Sequence, residues 1–576
     1  MPPRARGKML LVHSIAALAA ATGGLLVPTS LSVGYGRTGA NLTFVSASVS
    51  TPPRFSWSFS PSSSRGLLQA SYRVQVICGY TRGVVWDSET VVSNRTRFVP
   101  YDGQPLSTDA RYAWRVQVTA VGQAEASAFS GWQSFATALL PADWDKLGAQ
   151  WINGGNVSVL ATVADTKVPP AQDHSARGRK QLRTSFDVPP AVRSAIAHAS
   201  LFWAGVGYGK LWLNDEEVSD EALGPWTTWS ERILYRCEDV TNRLAAGNNA
   251  IGVWLGSGQY DSSWTHSWCS ARKGCIPELG LRLLLRLTLA NGTKLTIARS
   301  GNDWLASPSP FVSDDVYKGI EFDARNLSDG FSAPNFRPGI DDKQQWTPAA
   351  VVWKAAPFQT AKMTPHIFTP DRVISQRFPV KLTTPSPGVY VFWFAANDVG
   401  WAQLNNVQLP AGTKLTLAHA EQMRLPNGTV CLVGCLKGRV YYAWGGAVDS
   451  YTLRGGGKPE SYGAHFSYHG FQFVELTGWP AGAAAPTLNT ISAQVVHSDN
   501  RRIATLSFPK TGKAAILTQI NDNIVRSLLS NMHSVESDCP TRERVGWTGD
   551  SQVSGRSLSA ASLAVYPCTH DPITTN

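Results

Sequence analysis

The sequence predicts a mainly β protein built from several antiparallel β-sandwich domains, with helices near its C-terminal part. Apolar and polar residues alternate with a period of two over most of the chain, and this period changes near residue 509. The 50 glycines and 35 prolines favour a turn-rich β protein. At 576 residues the chain has room for about three to five domains. A hydrophobic content of 43% with 16% charged residues indicates globular domains and excludes general disorder.

The first predicted β region covers residues 33–140. Tyr72, Val74 and Val76 alternate with polar residues, and the stretch Trp114–Thr119 repeats this pattern. Such alternation is typical of an antiparallel sheet with one face buried. We therefore predict an immunoglobulin-like or fibronectin-like sandwich here.

Two further β regions are predicted at residues 150–365 and 366–498. The first opens with Leu182–Val188 and contains the apolar run Leu281–Leu289, which favours a jelly-roll-like sandwich. Either region could hold a lectin-like carbohydrate cleft or only brace the domain that follows, and both interpretations stay open.

The change of period near residue 509 predicts an amphipathic helix. Phe508–Pro509 opens it and Ser534–Pro540 closes it. A second helix is predicted to begin near Ala560. The apolar positions of the first helix are Ile516, Ile520, Ile524, Leu528 and Met532, with Leu517 and Leu529 beside them.

The segment from Ser537 to Asp550 is rich in groups that suit carbohydrate chemistry. Its carboxylates, Asp538, Glu543 and Asp550, are spaced by five and seven residues, which fits neither helix nor strand, so a loop is predicted. Hydrolysis of a glycosidic bond usually needs two carboxyl groups, and a further carboxylate can accept hydrogen bonds from sugar hydroxyls. An aromatic ring such as Trp547 can pack against a sugar. The competing interpretation is a solvated charged loop with a structural tryptophan.

This segment resembles the signature of the α-L-rhamnosidase family of glycoside hydrolases. The family pattern reads Asp-Cys-Pro-x-Arg, an optional Asp, and then Glu-Arg-x-Gly-Trp-x-Gly-Asp, at the mouth of a helical toroid. The optional Asp is absent here, so Glu543 directly follows Arg542. The resemblance implies that Glu543 is the general acid. The substrate-binding residues that we predict from the motif are Asp538, Arg542, Arg544, Trp547 and Asp550.

The resemblance extends along the chain in the family's order. Gly205–Asn214 and Gly247–Val253 resemble the family's N-terminal jelly-roll-like domain, and Tyr390–Asn397 and Tyr468–Phe471 resemble its concanavalin-like domain. It implies that residues 505–565 form the first helices of an α/α toroid, which we expect to be incomplete. The last residues, 566–576, are unlike the family.

The resemblance implies an inverting mechanism, which needs a general base far downstream of the acid. After Glu543 the only carboxylates are Asp550 and Asp571, so no base is named. Two hypotheses follow. One is an α-L-rhamnosidase that hydrolyses terminal α-L-rhamnose from glycosides or pectic polysaccharides, in a truncated form. The other is a non-catalytic carbohydrate-binding or scaffold protein derived from a rhamnosidase.

The formal charge of +11 is spread along the chain, and no nucleic-acid motif accompanies it, so we predict no nucleic-acid partner. Attraction to acidic pectin and an ordinary solvated surface both remain open. The oligomeric state is not predicted.

Residues 1–25 are typical of a secretory signal, with basic residues ahead of the apolar run Met9–Ala21. An uncleaved anchor over Met9–Val27 is the alternative. We predict a secreted glycoprotein that is not held at a membrane once the signal is cleaved. The glycosylation sequons begin at Asn41, Asn94, Asn156, Asn291, Asn326 and Asn427.

We predict no cofactor and no metal site. Calcium stays possible, but the acidic residues form no recognisable calcium loop. His266 with Cys269 and Cys275 fits no familiar zinc module. In a secreted chain, disulfides within the pairs Cys269/Cys275 and Cys431/Cys435 are plausible instead.

Overall fold

The structure is a computed structural model in which the chain forms two compact units, Met1–Asp143 and Trp144–Asn576. The mainly β fold class, with helices near the C-terminal part, is confirmed. The predicted signal segment, the residues 566–576 and the cysteine pairs near 270 and 433 lie outside the described residues. Those described are 26–34, 42–48, 51–60, 66–155, 181–262, 279–352, 360–366, 368–423, 428–430, 447–500, 502, 508–509 and 511–560.

Within its described residues, the first unit has two main sheets around an aromatic core. Tyr72, Val74 and Val76 are buried and the residues between them are partly exposed, as their alternation predicts. Phe55 and Trp114 lie at the centre, with ring centroids 4.6 Å apart. One sheet contains Pro28–Val33, Arg54–Phe59 and Val99–Pro100, and the other contains Thr43–Val45, Gln133–Thr137, Arg111–Ala120, Gln69–Cys78, Val84–Asp87 and Val91–Val92.

The second unit begins with a β-sandwich whose two sheets share an apolar core. The strand Gly280–Leu289 is buried over nearly its whole length, because it pairs on both sides and lies under the opposite sheet. One sheet contains Ala350–Val351, Ile152–Asn153, Gly280–Leu289, Ile196–Val206, Arg232–Asp239, Lys362–Pro365 and Lys294–Arg299. The other contains Glu216–Glu217, Tyr208–Leu213, Gly247–Gly256, Gln181–Val188, Leu305–Ser307 and Thr347–Pro348. Short helical segments lie at Pro141–Lys146, Pro190–Ala195, Thr241–Arg243 and Ala324–Asn326.

A ten-stranded sheet follows, organised around the long strand Val389–Val407. The hairpin of Phe311–Asp315 and Gly319–Asp323 lies within the second predicted region, yet it pairs in this sheet through Val448–Thr452. Its tip carries Val316 and Tyr317, which matter for the site below. The strands, in spatial order, are Phe311–Asp315, Gly319–Asp323, Val448–Thr452, Lys414–Ala420, His469–Thr477, Val389–Val407, Ile491–Ser498 and Asp371–Arg377, with Lys381–Ser386 and Glu460–Tyr462 beside Val389–Val407.

The helical part departs from the prediction at its ends. The first helix is Lys513–Ser530, so Met532 lies beyond it, in a small hairpin of Met532–His533 and Val535–Glu536. The helix stops because Asn531 leaves the helical conformation, with φ −108° and ψ 8°. The second helix is Thr548–Ala560, so the predicted start near Ala560 was wrong. Among the helices that the structure describes, none has the length and apolar character needed to cross a bilayer.

Candidate active site

The loop between the small hairpin and the second helix is closed by Asp538. The backbone N–H of Asp538 donates to the Val545 carbonyl at 3.1 Å, and the Val545 N–H donates to Asp538 Oδ1 at 3.0 Å. The two ends of the loop are thereby joined, and the residues between them form one compact turn. One carboxylate oxygen of this predicted sugar contact therefore shapes the loop.

Glu543 lies at the outer side of this turn, with 27% of its side chain exposed. The Trp547 indole Nε1–H donates to Glu543 Oε2 at 2.8 Å, and Arg542 Nη2 lies 3.0 Å from Glu543 Oε1. The Glu543 backbone N–H donates to Cys539 Sγ at 3.1 Å. The carboxyl group is therefore accessible and is oriented by contacts on both of its oxygens.

Arg544 lies on the opposite side of the turn and is fully buried, with 0% exposure. Its φ of +51° is in the left-handed region, so its side chain turns inward where Glu543 turns outward. The guanidinium donates to the Val316 carbonyl and lies over the rings of Tyr317 and Tyr468. The structure therefore places Arg544, a predicted substrate contact, with its guanidinium enclosed by the β domain and not at the outer side of the turn.

Trp547 and Asp550 extend the site toward the second helix. Trp547 is 41% exposed, so part of its ring is open to a ligand. Asp550 is exposed in the first turn of Thr548–Ala560, where a negative charge suits the positive end of the helix dipole. The predicted loop is thus correct up to Trp547 and wrong beyond it. The site brings Asp538, Arg542, Glu543 and Trp547 together through the contacts above.

The ten-stranded sheet approaches the loop closely at Gly470. A Cβ atom there would lie 3.0 Å from Pro540 Cγ and 3.1 Å from Thr541 Cγ2, so a larger residue would press on the loop. Nearby, Glu421 accepts hydrogen bonds from the Thr541 hydroxyl at 3.0 Å and from Asn397 Nδ2 at 2.8 Å. The sheet therefore contacts the loop just before Glu543.

Sequence reasoning missed the residues of the β domain that touch this loop, namely Tyr317, Glu421 and the side-chain role of Tyr468. Tyr317 and Glu421 lie far from the motif along the chain and carry no local signal. Tyr468 belonged to a noted motif, but the resemblance assigned that motif only to the concanavalin-like domain.

Among the described residues, one group has the spacing to hold a metal ion: His419, Asp449 and His469, all buried. Burial lowers the pKa of His419 to about 3, so its ring is neutral. The Ala402 N–H donates to His419 Nε2 at 3.0 Å, which leaves Nδ1 to donate to Ala447 O at 3.1 Å. Both ring nitrogens are thus already used, and this group does not fit a metal ion.

Four family models match the chain in order. They are the Rha78A-like N-terminal immunoglobulin domain over residues 46–141 and the α-L-rhamnosidase N-terminal domain over 194–370. The bacterial α-L-rhamnosidase concanavalin-like domain follows over 383–497, and the six-hairpin glycosidase domain of the same family over 510–564.

Curated relatives carry the same family name. The chain is 30% identical over 412 residues to an α-L-rhamnosidase of Streptomyces avermitilis, covering 71% of this chain and 35% of that one. It is 28% identical over 520 residues to an α-L-rhamnosidase of Formosa agariphila, covering 87% of this chain and 51% of that one. The chain therefore spans about half or less of the length of these relatives.

Solved structures agree in fold. The α-L-rhamnosidase of Dictyoglumus thermophilum superposes with a TM-score of 0.76 at 26% identity, over 93% of this chain and 56% of that one. The enzyme of Aspergillus terreus gives a TM-score of 0.73 at 27% identity, with the same coverage of 93% and 56%. With the ordered match of all four domain models, these likenesses show that the chain belongs to the α-L-rhamnosidase family of glycoside hydrolases.

Proposed function

We propose that the protein is an α-L-rhamnosidase that removes terminal α-L-rhamnose from glycosides or pectic polysaccharides by inverting hydrolysis. The observation that carries this proposal is the setting of Glu543, a partly exposed carboxyl group between the Trp547 N–H and Arg542 at the motif's acid position. A structure of the Streptomyces avermitilis enzyme bears L-rhamnose, which supports a rhamnose-containing substrate here.

In this mechanism Glu543 donates its proton to the glycosidic oxygen as the bond to the anomeric carbon breaks. A water molecule attacks that carbon from the opposite face and loses a proton to a general base, for which we name no residue. Trp547 offers ring surface to the sugar and orients Glu543. Asp538 and Asp550 accept hydrogen bonds from rhamnose hydroxyls, and Arg542 lies beside the acid.

The test is hydrolysis of an alkyl α-L-rhamnoside, whose leaving group needs protonation, by the wild-type chain and by Glu543→Gln, which keeps the shape but has no acidic proton to transfer. Loss of general acid catalysis lowers kcat about 100-fold or more. Glu216→Gln, at an exposed strand position of the β-sandwich, is the matched control and keeps wild-type turnover. Proton NMR of the first product gives the anomeric configuration, and retention would contradict the inverting mechanism.

The competing function is a non-catalytic carbohydrate-binding protein. Undetectable turnover by the wild-type chain, together with calorimetric binding of a rhamnose-containing oligosaccharide, would overturn the enzymatic proposal in its favour. Comparison of rhamnosylated flavonoids with pectic fragments separates the two substrate classes.

A further inference from the structure

The tip of the hairpin between Phe311–Asp315 and Gly319–Asp323 encloses the residue that follows Glu543. The Arg544 guanidinium carbon lies 4.9 Å from the Tyr468 ring centroid and 5.4 Å from the Tyr317 ring centroid. The Nη1 group of the same guanidinium donates a hydrogen bond to the Val316 carbonyl. A desolvated cation on an aromatic face is stabilised more strongly than an exposed one. No carboxylate among the described residues forms an ion pair with Arg544, so its charge is stabilised by two aromatic faces and one carbonyl oxygen.

Tyr317 makes a second contact, with Glu543 itself. Its hydroxyl lies 2.8 Å from the Glu543 backbone carbonyl oxygen, to which it donates. Burial raises the pKa of Tyr317 well above its ordinary value, so the hydroxyl stays protonated and remains a donor. Tyr317 therefore holds the backbone at Glu543 and packs on the side chain at Arg544.

The two tyrosines that make these contacts are themselves held in place. Asp315 Oδ1 accepts the N–H groups of Tyr317 at 2.8 Å and Lys318 at 3.0 Å, which orders the turn. The Tyr468 ring stacks on His533, with centroids 3.9 Å apart and planes 13° apart. Tyr317 is therefore held by its own turn, and Tyr468 is held by the small hairpin that carries His533.

We propose that Tyr317, Tyr468 and Arg544 form a clamp that positions Glu543, and that Tyr317 and Arg544 are positioning residues for the general acid. This inference rests on the proposed function. The hairpin tip at Tyr317 and the ring of Tyr468 thereby help to set where the carboxyl group meets the glycosidic oxygen. Small displacements of a reacting group cost large factors in rate.

A misplaced acid has a particular kinetic signature. A rhamnoside with a poor leaving group, such as an alkyl rhamnoside, needs protonation as its bond breaks. The 2,4-dinitrophenyl rhamnoside has a leaving group that departs without being protonated. Loss of the clamp therefore lowers kcat for the first substrate and spares the second, whereas simple loss of folded protein lowers both equally.

The test compares Tyr317→Phe with Tyr462→Phe in the full chain. Tyr317→Phe keeps the ring under Arg544 and removes only the hydroxyl. Tyr462→Phe is the matched control, because it removes a buried hydroxyl that has no hydrogen-bond partner among the described residues. Arg544→Lys is a second variant, which keeps the charge but loses the planar group between the rings.

For Tyr317→Phe we expect kcat on the alkyl rhamnoside to fall about tenfold, as for the loss of one hydrogen bond, with KM and the dinitrophenyl rate within about twofold of wild type. Hydrogen exchange in peptides covering Asp538–Trp547 rises in both clamp variants and not in Tyr462→Phe. Equal rate losses on both substrates, or loop exchange that matches the control, would overturn the clamp. If the wild-type chain has no turnover, the proposed function is contradicted, and the exchange comparison alone then decides the clamp.

Discussion

Glu543 and Arg544 are neighbours in sequence but lie in opposite environments. One reaches solvent beside Trp547, and the other is enclosed under Tyr317 and Tyr468. The motif predicted the chemistry of this segment, because residue types at given spacings are visible in sequence. It could not predict which arginine is exposed and which is buried, because that depends on the left-handed φ of Arg544 and on aromatic rings distant in the chain.

Trp547→Phe tests how the acid is oriented. The substitution keeps an aromatic surface for the sugar but removes the Nε1–H that donates to Glu543 Oε2. We expect kcat on an alkyl rhamnoside to fall about tenfold, as for the loss of one hydrogen bond that orients the acid. The measurement is steady-state kinetics on that substrate. Trp132→Phe, at an exposed tryptophan of the first unit, is the control, and an equal loss there would contradict this role.

At the scale of elements, the helix Lys513–Ser530 was predictable and its surroundings were not. The four-residue apolar period correctly indicated a helix, but Met532 fits the same period and lies beyond the helix end. Periodicity alone cannot detect a chain reversal at Asn531. Periodicity also does not show how much of the apolar face of this helix is buried by other residues. Within the described part of the chain, Ile516, Ile520 and Ile524 are 57%, 48% and 41% exposed, and Leu528 is 9% exposed.

This difference in exposure predicts that substitutions along the apolar face of the helix lower the free energy of unfolding by unequal amounts. Leu528→Ala removes a buried side chain and should lower the free energy of unfolding by about 2 kcal/mol or more. Ile520→Ala removes an exposed one and should change it by less than about 0.5 kcal/mol. Urea denaturation followed by circular dichroism measures both. Equal losses at the two positions would show that the outer face of the helix is covered in solution.

At the scale of the whole second unit, sequence patterns predicted the succession of β domains but not the acidic groups buried where they meet. Asp371, on an edge strand of the ten-stranded sheet, accepts from the Ser498 hydroxyl at 2.6 Å and from the Ser534 N–H at 3.0 Å. Its own carbonyl accepts from the Ala222 N–H of the sandwich at 2.7 Å. In sequence these residues are separate polar positions, and only the packing of sheets brings them together.

The burial of acidic groups at this junction makes stability depend on pH. Burial raises the pKa of Asp371 to about 8. Partial burial, together with the negative charge of Glu221, raises the pKa of the half-buried Glu238 on a neighbouring sandwich strand to about 7. The folded state therefore keeps protons that the unfolded chain releases near pH 4. The stabilisation that these groups contribute to the folded state is complete below about pH 4 and is lost as pH rises toward 8. The contribution of these two groups to the free energy of unfolding therefore falls between pH 5 and 7. Buried histidines such as His419 and His533, whose pKa burial lowers to about 3, contribute a rise up to about pH 6.5.

Asp371→Asn keeps an acceptor for Ser534 and cannot titrate, so it isolates the contribution of this one group. The slope of the unfolding free energy against pH should become more positive by about 1.4 kcal/mol per pH unit between pH 5 and 7, the value for one proton. Urea unfolding at pH 5, 6 and 7 measures it. Asp341→Asn is the control: the hydrogen bond from Arg337 lowers the pKa of Asp341, so its titration lies below this window and the slope should match wild type. If Asp371→Asn leaves this slope unchanged, Asp371 is already ionised in the folded protein. The junction would then hold the negative charge of Asp371 in addition to that of Glu221.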